Sequence, residues 1–546
     1  MNTLDIRLKV FGDAVHGDIW LSDLEVAIVD TPDFQRLRRI QQLGTTSLIY
    51  PTADHSRFTH SLGTVLMAQR MMDAMDSGVD GQEILSDPAR RTIRLCALLH
   101  DIGHVPFGHT IEDETRLFVG DDKHDSHATY ERFLSAGRPI GQLIADNVSE
   151  NERRIIIDTL SAKDEAAIRN LEFPFAADIV GNTLCADLLD YLIRDVQACG
   201  LEGRYHRRIL DYLTLVKHEG VVRLALRLHK GRDVRRDVIS EFVGLLQRRY
   251  ELAERVYYHH TKMLTSGMVS EAIQAALRST EDPESEFSDR RFLEQHGDQS
   301  LLHWLASVCS DPIANRLGEA LLTRTKYKPV FKLSWRERHI DGEEASRVEG
   351  WAERYNEDSN ARWQMERTLE AYNELPAGSV VIYCPSRKMQ RKVAQALVIW
   401  KEGSGGEKPS IVQFCEIPDP VYREKVEALL NDHERLWKAY VMVDSRVATP
   451  EIIRCLASDC EREFDLMNEF SGLRNLAEPA PIQRRLAEWD ARTGQGVTLQ
   501  EGRSLAEILR FPAPGEEGRD PPTDKELEDA LMALRKKRLP FEESSE

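Results

Sequence analysis

The stretch that decides the fold is LLHDIGHVPFGH, residues 98–109. Its His100-Asp101 pair ends an apolar run made of Ile93, Leu95, Cys96, Ala97, Leu98 and Leu99. The run has helical spacing over 89–102 and stops at Gly103, which places an imidazole and a carboxylate at a helix end inside a core. Because apolar surroundings disfavour an unpaired charge, we expect a cation to bind there.

Two further segments supply partners for this pair. His60 lies in RFTHSLG, residues 57–63, at the start of a run of helical periodicity that extends to about residue 75. Asp187 lies on a predicted helix over 176–199, whose apolar stripe consists of Val180, Leu184, Leu188 and Leu192. Tyr191, Arg194 and Asp195 follow Asp187 by four, seven and eight residues and therefore project from the same side of that helix.

The candidate metal ligands are His60, His100, Asp101 and Asp187. A lone histidine beside an apolar run is usually structural, but two imidazoles and two carboxylates, each on or beside a helix with an apolar face, favour a metal site. Mixed nitrogen and oxygen ligands suit Mn²⁺, Fe²⁺, Co²⁺, Ni²⁺, Zn²⁺ or Mg²⁺, so we expect one divalent metal ion per site and leave its identity open. Such a cation can activate water and polarise a phosphoryl oxygen, which points to hydrolysis.

Composition limits the class of protein. The 546 residues, 41% of them hydrophobic, predict two or three domains with a large core. The sequence has no run of eighteen apolar residues and no signal-peptide pattern at its start, and its eight cysteines form no CxxC pair, so we expect a cytoplasmic protein with reduced thiols and no membrane association. The net charge of −19 argues against broad binding of a nucleic-acid backbone but allows small anionic ligands.

Local patterns outline the remaining chain. Residues 1–25 predict a short hairpin, and Thr31-Pro32 predicts a helix start. The buried face of that helix is expected to consist of Phe34, Leu37, Ile40 and Leu43. Helical patterning continues over 234–278 and 298–322.

The character of the sequence changes after about residue 325. Strands are predicted at 380–384, 411–415 and 440–443, and a helix at 387–400, which together indicate a small α+β lobe. A proline-rich acidic stretch before Thr523 is predicted to be mobile. Thr523 and Glu526 form a capping box for a final helix that ends in the basic residues 535–538.

Several motifs resemble one family. VFGDAVHG (10–17), DTPDFQRLR (30–38) and RFTHSLG (57–63), together with His100-Asp101 and Asp187, are similar to the HD superfamily of metal-dependent phosphohydrolases, and within it to the deoxynucleoside triphosphate triphosphohydrolases. The resemblance covers about residues 9–330. It is strongest to mammalian members with a sterile-alpha-motif domain before the HD domain, and we expect that extra domain to be absent here.

The resemblance implies a mainly α fold, with an HD-domain helical core and a small C-terminal α+β lobe. Together with the local patterns, this predicts an HD phosphohydrolase domain over 1–330, the α+β lobe over 331–470, and a helical, charged and partly mobile tail over 471–546. The implied reaction is metal-dependent hydrolysis of deoxynucleoside triphosphates (dNTPs) to deoxynucleoside and inorganic triphosphate, which would lower dNTP pools for pool balance or antiphage defence.

The resemblance also implies residue roles. The catalytic residues would be His104, His109, Glu112, His124 and Asp125. The substrate-binding residues would be Gln42, Leu43, Arg57, Tyr191, Asp195, Arg249 and Tyr257. An activating nucleotide would be bound between subunits by Asp30, Gln35 and Arg38, so allosteric regulation and a homo-oligomer, either dimer or tetramer, are expected.

Three positions depart from the mammalian pattern. Leu188 stands where the relative has a phosphate-binding lysine, Tyr258 replaces a glutamine beside the sugar, and Gly12 replaces an asparagine of the regulatory site. Substrate preference and guanine recognition are therefore expected to differ. Two alternatives stay open: an HD phosphodiesterase, nuclease or nucleotide phosphatase, and a non-catalytic nucleotide-sensing scaffold that binds a protein partner through the C-terminal region.

Overall fold

The computed structural model describes residues 8–75, 78–79, 82–117, 123–231, 233–279, 290–335, 342–386, 395–401, 410–470, 489–490, 492–494 and 523–537. The chain divides into two compact units, Met1–Val447 and Ala448–Glu546. Helices dominate both units, and the sheets are small. The predicted mainly α fold with a small α+β lobe is confirmed.

The first unit begins with the predicted hairpin. Strands Leu8–Asp13 and Gly17–Ser22 pair antiparallel, with Asp13 opposite Gly17 at the turn. Gly17 has a φ of +80°, which glycine adopts without steric cost and which closes this tight turn. The hairpin is followed by the helix Asp23–Val29, capped by Ser22 and Glu25.

The predicted helix start at Thr31-Pro32 is confirmed, but the element is short. Thr31 caps the N-terminus of the helix Pro32–Gln35, which continues as the 3-10 helix Arg36–Arg39. The expected buried face is confirmed, since Phe34, Leu37, Ile40 and Leu43 are all buried. Another 3-10 helix, Gly44–Leu48, follows.

Four helices position the predicted metal ligands, namely Arg57–Ala74, Asp87–Leu99, Pro174–Gly181 and Ala186–Ala198. They pack on one another around a core that includes Val65, Ile93 and Leu189, each fully buried. The prediction of a single helix over 176–199 was wrong. The chain breaks after Gly181, and Cys185 caps a new helix by accepting from the Leu188 N–H, so Asp187 lies in a first turn.

The first unit contains twelve further α-helices among the described residues. They are His127–Phe133, Pro139–Asn147, Glu150–Ser161, Glu165–Arg169, Arg236–Leu252, His260–Ser279, Arg290–Gln295, Asp298–Ser307, Pro312–Leu322, Gly342–Glu357, Ser359–Tyr372 and Pro420–Glu434. Two π-helical turns, Thr110–Glu114 and Ala253–Tyr257, lie beside predicted site residues. Short 3-10 helices span Arg207–Tyr212 and Phe414–Glu416.

Two sheets accompany the helices. In the three-stranded sheet, Lys438–Asp444 lies between Val380–Tyr383 and Tyr327–Ser334, all antiparallel. The four-stranded sheet has the order Ser410–Gln413, Leu397–Lys401, Val221–Arg227 and Leu213–His218. Short antiparallel pairs join Gly78–Val79 to Gln82–Glu83 and His229–Lys230 to Asp233–Val234.

The three predicted strands are confirmed, although the one predicted over 411–415 covers Ser410–Gln413. The helix predicted over 387–400 was wrong at its end, because Leu397–Lys401 is a strand; β-branched and aromatic residues in LVIWK favour this state. Residues 387–394 lie outside the described residues. That strand pairs in parallel with Val221–Arg227, so one sheet joins segments before and after residue 330. The division at 330 and 470 stays a prediction.

The second unit contains the helices Pro450–Phe464 and Asp524–Lys537. The predicted capping box is confirmed, because the Thr523 N–H donates to Glu526 and the Glu526 N–H donates to the Thr523 hydroxyl. Most of the stretch predicted to be mobile lies outside the described residues. All eight cysteines are described and none is disulfide-bonded. Within the described ranges, no helix is both long and apolar enough to cross a membrane.

Candidate metal centre and histidine pocket

The four predicted metal ligands meet where three helices come together. His60 is in the first turn of Arg57–Ala74, His100 and Asp101 directly follow Asp87–Leu99, and Asp187 is in the first turn of Ala186–Ala198. His60 Nε2 lies 3.3 Å from His100 Nε2 and 3.0 Å from Asp187 Oδ1. Ligand atoms of His60, His100 and Asp101 all lie within 4.8 Å of one another.

The hydrogen bonds of the two imidazoles direct their free nitrogens to one point. His100 Nδ1 bonds to the Ala97 carbonyl at 2.9 Å, and His60 Nδ1 bonds to Asp190 Oδ2 at 2.8 Å. If each Nδ1 donates its proton, both Nε2 lone pairs face each other. A separation of 3.3 Å fits two bonds of about 2.1 Å from a shared cation at roughly a right angle, so this donor set fits a divalent metal ion.

The electrostatics of the cluster favour positive charge. Burial alone would lower the pKa of His60, but hydrogen bonds to Asp187 and Asp190 outweigh it and raise the pKa to about 10. Burial alone would raise the pKa of Asp101, but His100 and Arg57 hold it well below its usual range. The carboxylates are thus ionised, and they stabilise a proton on His60. A divalent cation bound to His60 can replace this proton.

A pocket of three histidines adjoins the metal cluster. The ring of His104 stacks on that of His124 with centroids 3.6 Å apart, and the His109 ring lies 4.9 Å from His104. His104 is fully buried, and its Nε2 lies 3.3 Å from Asp101 Oδ1. Asp101 therefore connects the metal cluster to the histidine pocket.

The histidines of the pocket differ in charge. Burial, with the positive charge of Arg57, lowers the pKa of His104 well below its usual range, so this imidazole is neutral. Burial also opposes charge on His124, but its hydrogen bond to Glu112 outweighs this effect and raises its pKa. Glu112 in turn accepts from Arg290 Nη2 at 2.9 Å. One neutral and one readily protonated imidazole thus lie face to face.

Other predicted catalytic residues are placed differently. His109 is half exposed, and its Nδ1 bonds to Asp113 Oδ2 at 2.8 Å. Asp125 forms an ion pair with Lys163 at 2.8 Å. Its pKa falls to about 2, because His124 and Lys163 outweigh the effect of burial. The structure thus gives His124 a carboxylate partner in Glu112 and directs Asp125 to a lysine.

The predicted sugar-binding residues lie close together around Asp195. Tyr257 Oη donates to Asp195 Oδ2 at 2.7 Å, and His55 Nε2 bonds to Asp195 Oδ1 at 2.8 Å. Burial raises the pKa of Tyr191, and the nearby charge of Arg249 opposes this shift. These contacts bring Asp195, Tyr257, Tyr191 and Arg249 into one neighbourhood.

The remaining predicted substrate-binding residues are buried to different degrees. Gln42 is partly buried, and its Oε1 has no hydrogen-bond partner among the described residues; Leu43 is buried. Arg57 is 2% exposed, and its Nη1 donates to Asp101 Oδ2 at 2.9 Å. In this structure Arg57 therefore binds the carboxylate of a predicted metal ligand. Leu188 is also buried, so its place in the apolar stripe accounts for the apolar side chain.

The three predicted regulatory residues lie near one another. Asp30 is exposed at the end of a helix, while Gln35 Nε2 donates to the Val29 carbonyl at 2.8 Å. Arg38 donates to Gln35 Oε1 at 2.8 Å, and its guanidinium lies 3.6 Å from the centre of the Phe58 ring. The contacts of Gln35 and Arg38 thus have a structural explanation within one chain.

Sequence reasoning missed several residues that hold the site. Asp190 binds His60, Asp113 binds His109, and Arg290 binds Glu112. Asp190 could have been found, because it follows Asp187 by three residues on an amphipathic helix. Arg290 carries no local signal, since it comes from a helix far along the chain.

Asp298 fixes the backbone on two sides of the pocket. It accepts from the Gln41 N–H at 2.8 Å and from the Phe107 N–H at 3.0 Å. Phe107 has a φ of +58°, which is costly for a bulky residue, so this backbone needs support. Asp298 thus connects the loop of His104 and His109 to the segment that contains Gln41 and Gln42.

This aspartate should make stability depend on pH. Burial raises the pKa of Asp298 to about 6. A raised carboxyl pKa gives a stabilising contribution that is complete below the ordinary value near 4 and is lost as pH rises through 6. Asp298→Asn removes this contribution. Denaturant unfolding should show the difference in unfolding free energy between wild type and variant changing by roughly 2 kcal/mol from pH 4 to pH 8. A constant difference would contradict this pH dependence.

The close approach of two backbone segments requires glycine at 103. A Cβ there would lie 2.1 Å from the His124 carbonyl oxygen, and a backbone atom cannot yield as a side chain does. We expect Gly103→Ala to cost about 1–3 kcal/mol of unfolding free energy or more. Gly244→Ala is the matched control, because a Cβ at this helical position meets nothing within 4 Å; it should stabilise by up to about 1 kcal/mol. Equal unfolding midpoints for the two variants would refute the steric argument.

Comparison with known proteins agrees with this geometry. Residues 57–194 match the family model described as the HD domain. An uncharacterized protein of Methanocaldococcus jannaschii is 35% identical over 268 residues, 49% of this chain and 49% of that protein. Deoxynucleoside triphosphate triphosphohydrolase SAMHD1 of Gallus gallus is 28% identical over 298 residues, 50% of this chain and 46% of that protein. The chain spans about half the length of these curated relatives.

Among solved structures, a hypothetical protein from Aquifex aeolicus superposes with a TM-score of 0.54 at 19% identity. The match covers 83% of this chain and 100% of the other. At this identity the likeness concerns the fold alone.

Proposed function

We propose that this chain, whose residues 57–194 match the HD domain, is a metal-dependent deoxynucleoside triphosphate triphosphohydrolase. The reaction would cleave the ester between deoxyribose and the α-phosphate and release a deoxynucleoside and inorganic triphosphate. The observation that carries this proposal is the contact of Asp101 with both the metal cluster and the buried histidine pocket. The SAMHD1 relatives, which are deoxynucleoside triphosphate triphosphohydrolases, support the substrate class.

The four clustered side chains would hold the cation. His60, His100, Asp101 and Asp187 supply two neutral nitrogens and two carboxylate oxygens, the donor types that divalent metals bind. When bound, the cation would polarise the α-phosphoryl group and activate water. Arg57 keeps Asp101 ionised and oriented for this role.

The histidine pocket would donate a proton to the leaving group. His124 holds a proton readily because Glu112 is hydrogen-bonded to it, and a protonated imidazole can donate to the departing deoxyribose oxygen. Neutral His104, stacked on His124, would present its ring to the same phosphate without adding positive charge. His109, held by Asp113 at the exposed side of the pocket, would contact the incoming phosphate.

The side chains around Asp195 would select the sugar. Tyr257 is fixed by its hydrogen bond to Asp195, and Asp195 is also bonded to His55, so the ring is not free to move away. A rigid aromatic ring packed where a 2′-hydroxyl would project excludes ribonucleotides sterically. We therefore propose selectivity for deoxynucleotides.

Product analysis is the test of this function. The purified protein is incubated with each dNTP, singly and mixed, with Mn²⁺ or Mg²⁺, and the products are separated by ion-exchange chromatography. We expect deoxynucleoside and triphosphate in equal amounts and no turnover of the matching ribonucleotide. Release of orthophosphate would favour a nucleotide phosphatase, and cleavage of an oligonucleotide would favour a nuclease. No turnover with any metal would favour the sensing scaffold.

Nucleotide activation is proposed for Asp30, Gln35 and Arg38. Arg38 presents a guanidinium beside an aromatic ring, and Asp30 is an exposed carboxylate; both are groups that can bind a nucleotide. A dNTP mixture should then give a lag or a sigmoidal response with a change of oligomeric state. Hyperbolic kinetics with each dNTP alone, in a monomer, would refute regulation without affecting the proposed reaction.

A further inference from the structure

The hairpin turn at the start of the first unit reaches the metal centre through a single carboxylate. His16 Nε2 lies 2.7 Å from Asp190 Oδ1, and Asp190 Oδ2 lies 2.8 Å from His60 Nδ1. The side chains of His16 and Asp190 are fully buried and that of His60 is 1% exposed. A direct chain of hydrogen bonds therefore joins the hairpin to a predicted metal ligand.

A second branch holds the same carboxylate from the same hairpin. Arg194 donates to both Asp190 oxygens, from Nε at 2.8 Å and from Nη2 at 2.9 Å. Its Nη1 donates to Asp13 Oδ2 at 2.8 Å. Asp13 Oδ1 accepts from the N–H groups of Val15 and His16, so the turn and the arginine are held by one residue.

The network leaves Asp190 little freedom. Each of its oxygens accepts from one imidazole and from one guanidinium nitrogen. The helix on the other side approaches so closely that a Cβ at Gly63 would lie 1.9 Å from Asp190 Oδ1 and 2.5 Å from Arg194 Nη2. Removing the His16 donor would leave Asp190 Oδ1 with Arg194 alone, and the orientation of Asp190 toward His60 would be held by fewer contacts.

We propose that His16 and Asp190 are positioning residues of the metal centre, and that the hairpin turn acts through Asp190 to orient His60 for the cation. A hydrogen bond from Nδ1 to a carboxylate fixes the ring and makes the free Nε2 a stronger metal ligand. The inference rests on the metal site of the proposed function. It assigns a role to the GDAVHG motif that the reaction itself leaves unexplained.

Mn²⁺ affinity, measured by calorimetry without nucleotide, tests this role. His16→Leu fills the volume but removes the donor to Asp190, and we expect the dissociation constant to rise about 10- to 100-fold. His16→Gln keeps an N–H near the position of Nε2, and its affinity should stay within about threefold of wild type. Val10→Thr on the same hairpin is the matched control, because Val10 is 46% exposed and the substitution keeps a β-branched side chain; its affinity should be unchanged.

Circular dichroism on every variant separates weaker metal binding from loss of the hairpin. A folded His16→Leu protein that binds Mn²⁺ as wild type does would overturn the proposal. If that variant does not fold, Asp190→Asn decides, since it keeps the shape but sets an amide against His60 or His16; normal affinity there would also overturn it. Wild type that binds no Mn²⁺ refutes it as well, whereas wild type that binds Mn²⁺ but releases no triphosphate refutes only the proposed function.

Discussion

Asp101→Ala is expected to lose at least about 1,000-fold in dNTP turnover and also several kcal/mol of stability, whereas Asp187→Ala should lose turnover with a smaller loss of stability. Both variants remove a proposed metal ligand, and several kcal/mol of charge stabilisation correspond to three or more factors of ten in rate. Asp101 also neutralises Arg57, which is 2% exposed, so its removal leaves a buried guanidinium unpaired, at a cost of about 3–5 kcal/mol.

The pair of variants separates chemistry from folding. The side chain of Asp187 is 35% exposed and faces His60, so water can replace it. Turnover and unfolding are measured on both proteins, and Mn²⁺ binding is measured on whichever remain folded. Unchanged turnover in a folded Asp101→Ala protein would contradict the proposal that a metal held by Asp101 carries out the hydrolysis. Equal stability losses in both variants would show that Arg57 does not depend on Asp101.

Candidate metal ligands could be chosen from the sequence because their signals are local. An apolar run that ends in His100-Asp101 can be read from spacing alone, and so can a carboxylate on an amphipathic helix. The resemblance implied that His60, His100, Asp101 and Asp187 share one site, and in the structure His60 lies close to both His100 and Asp187. Periodicity sets the face of a helix but not the partner that it meets.

Other features depend on contacts between distant residues. Asp298 reaches Phe107 and Gln41, and Arg290 reaches Glu112, across 178 or more positions of sequence. A short run such as 397–401 suits either a helix or a strand, and its parallel neighbour at 221–227 decides the outcome. Likewise, apolar periodicity continues across Gly181 although the backbone breaks there, so pattern alone predicted one helix too long.

The pH dependence of the reaction is expected to identify the proton donor. Glu112→Gln removes the carboxylate that raises the pKa of His124, so this pKa should fall. If protonated His124 donates to the leaving oxygen, activity is lost as pH rises through the pKa of His124. The alkaline limb of the pH–rate profile should then move to lower pH in Glu112→Gln, and turnover at pH 8 should fall by about 10- to 100-fold.

Asp113→Asn is the matched comparison, because Asp113 is hydrogen-bonded to His109 and raises the pKa of His124 less than Glu112 does. If His124 is the donor, this variant should leave the alkaline limb nearly in place while Glu112→Gln moves it. The opposite result, with a shift in Asp113→Asn alone, would assign the proton to the half-exposed His109. Mn²⁺ titrations of the same variants show whether metal affinity has changed. We expect it to be unchanged, because Glu112 contacts none of the four proposed ligands. Glu112 and Asp113 are hydrogen-bonded to different imidazoles, so the two variants show whether His124 or His109 donates the proton. The positions of the two histidines alone do not show this.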